Sequence, residues 1–138
     1  MNKKELIHYA CKELFEIGNI EIIDEVFVKS YVIHTANKDY RGYDFIKKWF
    51  KQLKKAFLTI YVDKIDFLSQ ENNLIVWQRS LSGKHIKQIR GIKPSDKIIK
   101  WNEMVVSRFE DGKIAEEWVV SELKGELFVK HSSKIKNY

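Results

Sequence analysis

One cysteine, one proline, six glycines and four arginines are all that 138 residues contain of these types, and each shortage excludes something. The lone Cys11 rules out an intrachain disulfide and suits a reducing compartment, so a cytoplasmic protein is expected. It lies inside a helical pattern with no helix N-terminus to lower its pKa, and is not read as a nucleophile. Pro94 falls in a loop, where it costs no ladder hydrogen bond. No stretch approaches the roughly 18 to 20 apolar residues that a membrane helix needs, so no membrane partner is expected. The opening MNKKELIHYACKELF lacks an uninterrupted apolar region and reads as the first helix rather than a signal peptide.

Lysine supplies 21 of the 25 basic residues; the arginines are Arg41, Arg79, Arg90 and Arg108. Nucleic-acid sites lean on arginine's planar fork and on aromatics that stack bases. Here the lysines are scattered over helix faces, so the net charge of +6 reads as a solvated surface and no nucleic-acid partner is expected. There is no Gly-x-Ser-x-Gly elbow, no phosphate-cradling glycine loop and no Cys/His array. Serine-hydrolase, nucleotide and zinc chemistry therefore lack support.

What is present is a composition for burial: 44% hydrophobic and 13% aromatic residues, enough for an ordered core. The length predicts one domain, residues 1–130, followed by a polar tail at 131–138. Residues 4–17 carry Leu6, Tyr9, Ala10, Leu14 and Ile17 at helical spacing, and Gly18-Asn19 gives the stop. A short helix is predicted over 20–27, a short extended piece over 31–35, a polar loop over 36–42 and a third helix over 44–56. After that the period drops from 3.6 to 2. Strands are predicted over 60–68, 74–85, 98–109 and 113–121, with Asp111-Gly112 as the hairpin signal between the last two. Helices first and a long antiparallel sheet after make an α+β domain. A strongly curved sheet with the helices on its concave face gives a cone-shaped barrel.

Certain residues in this order resemble the SnoaL-like polyketide cyclase family, within the nuclear-transport-factor-2-like (cystatin-like) superfamily. They are Tyr31-Val32-Ile33-His34, Gly42 opening the third helix, the Trp49-Phe50 to Ala56-Phe57 pattern and Gly83-Lys84-His85. Gly91-Ile92-Lys93-Pro94-Ser95, Asp111-Gly112-Lys113-Ile114 and Glu117-Trp118 complete the set. Where the family often places Asp, four residues after the Trp, this chain has Glu122; Val105 and Lys93 also depart from the pattern. The resemblance implies a small-molecule pocket protein. Its reaction class would be a cofactor-independent cyclase or isomerase that abstracts a proton next to a carbonyl of an apolar substrate. The alternative is a non-catalytic ligand-binding or dimerisation module of the same fold.

Side chains at i and i+2 share a face of a strand, which leaves two parities for the cavity wall. The resemblance favours the one holding Trp77, Arg79, His85, Trp101, Glu103, Trp118 and Glu122. The opposite one holds Val76, Gln78, Ser80, Asn102, Met104 and Glu117. Under the first, His85 is the expected proton relay or oxyanion partner and Glu122 the expected base. Substrate contacts are expected from His34, Trp49, Trp77, Arg79, Trp101, Glu103 and Trp118, with Arg79 and Glu103 also placed to pair across neighbouring strands. His34 and His85 have no third ligand beside them, so no metal is expected, nor any other cofactor. Alternating Ile and Val on the outward strand faces would leave an apolar patch, so a homodimer through the outer face of the sheet is expected.

Overall fold

The computed structural model describes residues 1–136, with side chains as far as Lys130. Helix α1, Lys3–Cys11, starts at a capping box: the Asn2 side chain accepts the Glu5 N–H at 2.8 Å and the Glu5 carboxylate accepts the Asn2 N–H at 3.1 Å. The run continues as a π-helical segment, Lys12–Ile17, and stops at Gly18, whose φ of 77° is the left-handed cap that glycine adopts without strain. A 3-10 turn, Ile20–Ile22, leads into the short α2, Ile23–Val26, and α3 spans Gly42–Ala56.

Six strands follow in space as β1 (Phe27–His34), β2 (Asp39–Arg41), β3 (Phe57–Glu71), β4 (Leu74–His85), β5 (Ile98–Glu110) and β6 (Lys113–Ser121). The bounds of β4 and β6 are those predicted. Strand β2 lies where a polar loop was expected, because three residues pairing with β1 are too few to show a period. Helix α4, Leu123–Lys136, was also unexpected. Its signal is thin, resting on Leu123 and Leu127, one turn apart and both buried. Its backbone takes in most of the expected tail; the side chains of 131–136 and residues 137–138 lie outside the described residues.

The sheet order is β2-β1-β6-β5-β4-β3. Strands β1 and β6 pair in parallel and the other pairs are antiparallel, so the sheet is mixed. Its edges, β2 and β3, do not close on each other. Curvature comes from irregular register: β3 shifts against β4 at three places along its length, and each such irregularity bends and twists a ribbon. Helices α1 and α3 fill the concave side. Ile7, Leu14, Ile46 and Leu53 from the helical layer share one core with Ile75, Trp77, Leu81, Ile99 and Val105 from the sheet. This is the α+β cone that the sequence predicts. At Gly83 the backbone of β3 comes so near that a Cβ would sit 2.8 Å from the Thr59 carbonyl oxygen, which leaves room for glycine alone.

Candidate functional site

Helices α1 and α3 do not fill the cone completely. A cavity of about 590 Å³ remains between them and the inner face of the sheet, within the size range of small-molecule sites. Its walls are largely apolar, with Ile7, Phe15, Phe45, Trp49 and Trp77 among them, and the buried polar groups Arg79, Glu103 and Glu117 stand on its sheet side.

Strand β6 decides which polar groups enter. Arg108 pairs with Glu116 but Phe109 pairs with Ile114, so Ala115 is one extra residue on β6. Such a bulge reverses the alternation beyond it. Ile114 faces the cavity, and after the bulge so do Glu117, Val119 and Ser121, instead of the Glu116, Trp118 and Glu122 that unbroken alternation predicts. Opposite them on β5 stand Ser107, Val105 and Glu103.

Two hydrogen-bonded groups result. In the first, Glu117, only 6% exposed, accepts from the Tyr31 hydroxyl at 2.7 Å through Oε1 and from the Ser107 hydroxyl through Oε2. Ser107 in turn accepts the Trp77 indole N–H at 2.9 Å. Two inward positions further along β5, Arg79 Nε donates to Glu103 Oε1 at 2.7 Å. Glu103 Oε2 takes the Ser121 hydroxyl at 2.6 Å and the Trp101 indole N–H at 3.2 Å. The Arg79 guanidinium also lies 4.8 Å from the Phe15 ring centroid and 5.1 Å from that of Trp77. Its pair with Glu103 runs through Nε, a contact that leaves the two terminal nitrogens out of the bond.

Burial works differently on each member. It raises the Glu117 pKa above the usual carboxylate range, against the opposing pull of Arg79 and the two hydroxyl donors. Tyr31 is raised well above its ordinary value, first by burial and then by the adjacent Glu117 charge, which keeps it a hydroxyl donor. The Cys11 thiol, also in the cavity wall, is pushed up by burial to about 12. It is therefore a protonated wall residue at neutral pH.

Of the residues predicted from sequence, Trp49, Trp77, Arg79 and Glu103 line the cavity. Trp101 is buried behind it, its indole holding Glu103. His85 is fully buried at the end of β4, its ring 5.5 Å from Phe57, and is not among the lining residues. Glu122 is exposed and its carboxylate accepts the Asn102 backbone N–H at 2.9 Å; it too lies outside the lining. His34 and Trp118 stack on each other at 5.1 Å on the outer face of the sheet. There His34 bridges Asp39 at 2.8 Å and Glu116 at 2.6 Å. These two carboxylates, Glu116 first, raise the His34 pKa. Sequence reasoning missed Glu117, Tyr31 and Ser107 as a unit. The signal that would have found Glu117 is the small Ala115 just after the hairpin, where a bulge is tolerated.

Among the described residues, no group of three or more His, Cys, Asp or Glu side chains is placed to hold a metal ion, and no helix is long and apolar enough to cross a membrane.

A mixed, open α+β cone enclosing an apolar cavity with a buried acid is the frame of a small-molecule pocket protein. The family model described as SnoaL-like polyketide cyclase matches residues 5–126, and the chain belongs to that family. No curated protein sequence matches it. Among solved structures it is similar to a candidate polyketide cyclase from Acidithiobacillus ferrooxidans, at TM-score 0.79 and 21% identity, covering 94% of each chain. It is also similar to AclR, a candidate hydroxylase from Streptomyces galilaeus, at TM-score 0.76 and 20% identity over 94% of this chain and 95% of that one. A third is IdmH, a candidate polyketide cyclase from Streptomyces antibioticus, at TM-score 0.75 and 19% identity over 94% and 97%. At these identities the likeness shows the shared fold.

Proposed function

We propose that the protein is a cofactor-independent cyclase or isomerase that takes a proton from the carbon next to a carbonyl of an apolar substrate, with Glu117 as the base. The observation that carries this is the placement of Glu117: a buried carboxylate with a raised pKa, facing an apolar cavity beside a guanidinium. Each Glu117 oxygen accepts one hydroxyl bond, which leaves each a further lone pair for a proton. A carboxylate whose pKa is raised is a stronger base, better suited to taking a proton from carbon. In the step, the C–H electron pair moves into the enolate, Glu117 takes the proton, and the enolate oxygen is met by the terminal nitrogens of Arg79. Returning the proton to another carbon completes an isomerisation. Attack of the enolate carbon on a second carbonyl, with Glu117 protonating the new alkoxide, completes an aldol closure. His85 and Glu122, expected from sequence to do this work, lie off the cavity wall, so the roles pass to Arg79 and Glu117.

The apolar walls equally favour a second reading, a binding module that holds a small apolar molecule without chemistry. Deuterium exchange separates the two. In D2O, 2-tetralone, an apolar ketone with acidic α-hydrogens, is followed by proton NMR. Catalysis is expected to accelerate α-deuteration, with Glu117→Gln removing the acceleration and Glu122→Gln retaining it. Binding of the ketone without acceleration would leave the module reading; acceleration that survives in Glu117→Gln would reject Glu117 as base.

For the oligomer we propose the homodimer through the outer sheet face, where Met104 and Trp118 are about two-fifths exposed. Light scattering coupled to size exclusion tests it, with Trp118→Lys expected to give the monomer. The lone, buried Cys11 supports a reducing cytoplasm as the working compartment.

A further inference from the structure

The cavity contains more cations than its buried carboxylates use. Its lining includes Arg79, Arg90 and Lys124 against Glu103 and Glu117. Arg79 pairs with Glu103, whereas Arg90 and Lys124 form no ion pair among the described residues. Both are exposed yet line the cavity, which places them at its mouth. The topology agrees: the loop between β4 and β5, which carries Arg90, and the start of α4, which carries Lys124, leave the sheet at the end where Glu103 pairs with Ser121.

Each cation stands where its local structure disfavours it. Ile89 and Ile92 exchange backbone bonds of 3.1 and 2.9 Å, so Arg90 and Gly91 form the two-residue tip of a tight turn, with φ of 48° and 82°. Of the four non-glycine residues with positive φ among the described residues, Asn72, Asp96 and Asp111 are of the types that tolerate it; Arg90 is the fourth. Its guanidinium lies 4.7 Å over the Trp49 ring, itself a wall of the cavity. Lys124 occupies the first turn of α4, the end of a helix whose dipole opposes a cation. The carboxylates nearest to them in the chain, Glu122, Glu126 and Asp96, are not among the lining residues. Strained or opposed residues that converge on one opening are a mark of a binding role.

We infer that Arg90 and Lys124 form an anion subsite at the mouth, and that the ligand of this cavity is an amphipathic acid: an apolar body among Phe15, Trp49 and Trp77 with an anionic head group at the solvent end. This rests on the reading of the cavity as a small-molecule site and adds the class of molecule. Arg90 offers the head group its guanidinium while the Trp49 face holds the fork in place. Lys124 and the positive end of the α4 dipole add to the same field.

Isothermal titration of the whole protein with decanoate, decyl phosphate, decanol and decylamine tests it. The acids are expected to bind at least tenfold more tightly than decanol, and decylamine more weakly than decanol. The tighter of the two acids identifies the head group. Arg90→Gln with Lys124→Gln is expected to abolish the preference while leaving decanol affinity unchanged, and raising salt from 50 to 500 mM is expected to weaken the acids alone. Arg90→Gly provides an independent check: it relieves the left-handed strain, so it is expected to raise Tm while weakening the acids. Equal affinity for decanoate and decanol, or a preference that survives the double substitution, overturns the subsite. Failure of all four to bind overturns the cavity reading beneath it as well.

Discussion

Removing Arg79 while leaving Glu103 in place is expected to destabilise the protein by about 3 kcal/mol. Breaking a buried pair by deleting one partner leaves an uncompensated charge and costs roughly 3–5 kcal/mol, and here both side chains are largely buried, at 14% and 7% exposure. Two bonds soften the loss. The Ser121 hydroxyl and Trp101 indole still donate to Glu103, so the low end of the range applies. Glu103→Gln alone strands the guanidinium in the same way, also at about 3 kcal/mol. With Arg79→Met and Glu103→Gln together neither charge of the pair is left stranded, and the Gln carbonyl keeps the Ser121 and Trp101 donors satisfied. The double variant is then expected to lose about 2 kcal/mol, mostly packing and aromatic contact, rather than the sum of about 6. Urea unfolding at pH 7, extrapolated to water, measures all four corners of the cycle. The Arg79→Met variant should also melt about 12 °C lower, at about 4 °C per kcal/mol for a chain of this size. A loss below about 1 kcal/mol for Arg79→Met, or a double variant that equals the sum of its singles, would refute the view that this pair is a coupled buried unit.

Glu117, whose pKa is raised in the folded state, binds its proton more tightly folded than unfolded. Its contribution to stability is thus present at low pH and lost as pH rises from the unfolded value through the folded one. Glu117→Gln is expected to cancel that loss, so its Tm relative to wild type should climb as pH rises above the unfolded carboxylate value; a flat difference counts against a raised pKa. His34 is the opposite charge type with the same direction of shift: its bonds to Glu116 and Asp39 stabilise the fold below its unfolded pKa and fade as pH rises through the folded one. The His34→Gln variant should accordingly melt furthest below wild type at low pH, with the gap narrowing as pH rises, and a gap that does not narrow refutes the linkage. Gly83→Ala drives a Cβ to 2.8 Å from the Thr59 carbonyl and 3.0 Å from the Phe57 ring, an overpacking expected to cost about 1–3 kcal/mol in urea unfolding; a neutral result would mean that β3 shifts freely.

The sheet and the third helix were legible because the period changes from 3.6 to an alternation of 2 after the third helix and clear turn signals bound the strands: Gln70 to Asn73 precedes Leu74, and Asp111-Gly112 precedes Lys113. Arg79 facing Glu103 followed from the same alternation, and so did Trp77 on the cavity wall. Glu117 did not, because period-2 reasoning carries every side chain forward from the hairpin and one extra residue, Ala115, reverses all that follow. Tyr31 was hidden for a different reason. Its partner Glu117 is 86 positions away, and the parallel pairing of β1 with β6 leaves no local trace in either segment. The expected pair of His85 with Glu122 rested on unbroken alternation along β4 and β6 with the resemblance choosing the parity, and in this chain Glu122 accepts the Asn102 backbone N–H.

The extra residue on β6 makes the hairpin end of that strand tolerant of a change in chain length. Deleting Ala115 would leave Ile114 opposite Phe109 and Glu116 opposite Arg108, so regular pairing would be restored and Glu117, Val119 and Ser121 would still face inward. The inward row is therefore held by its partners on β5 and not by its count from the turn, and a residue can be gained or lost beside the hairpin without repainting the chamber.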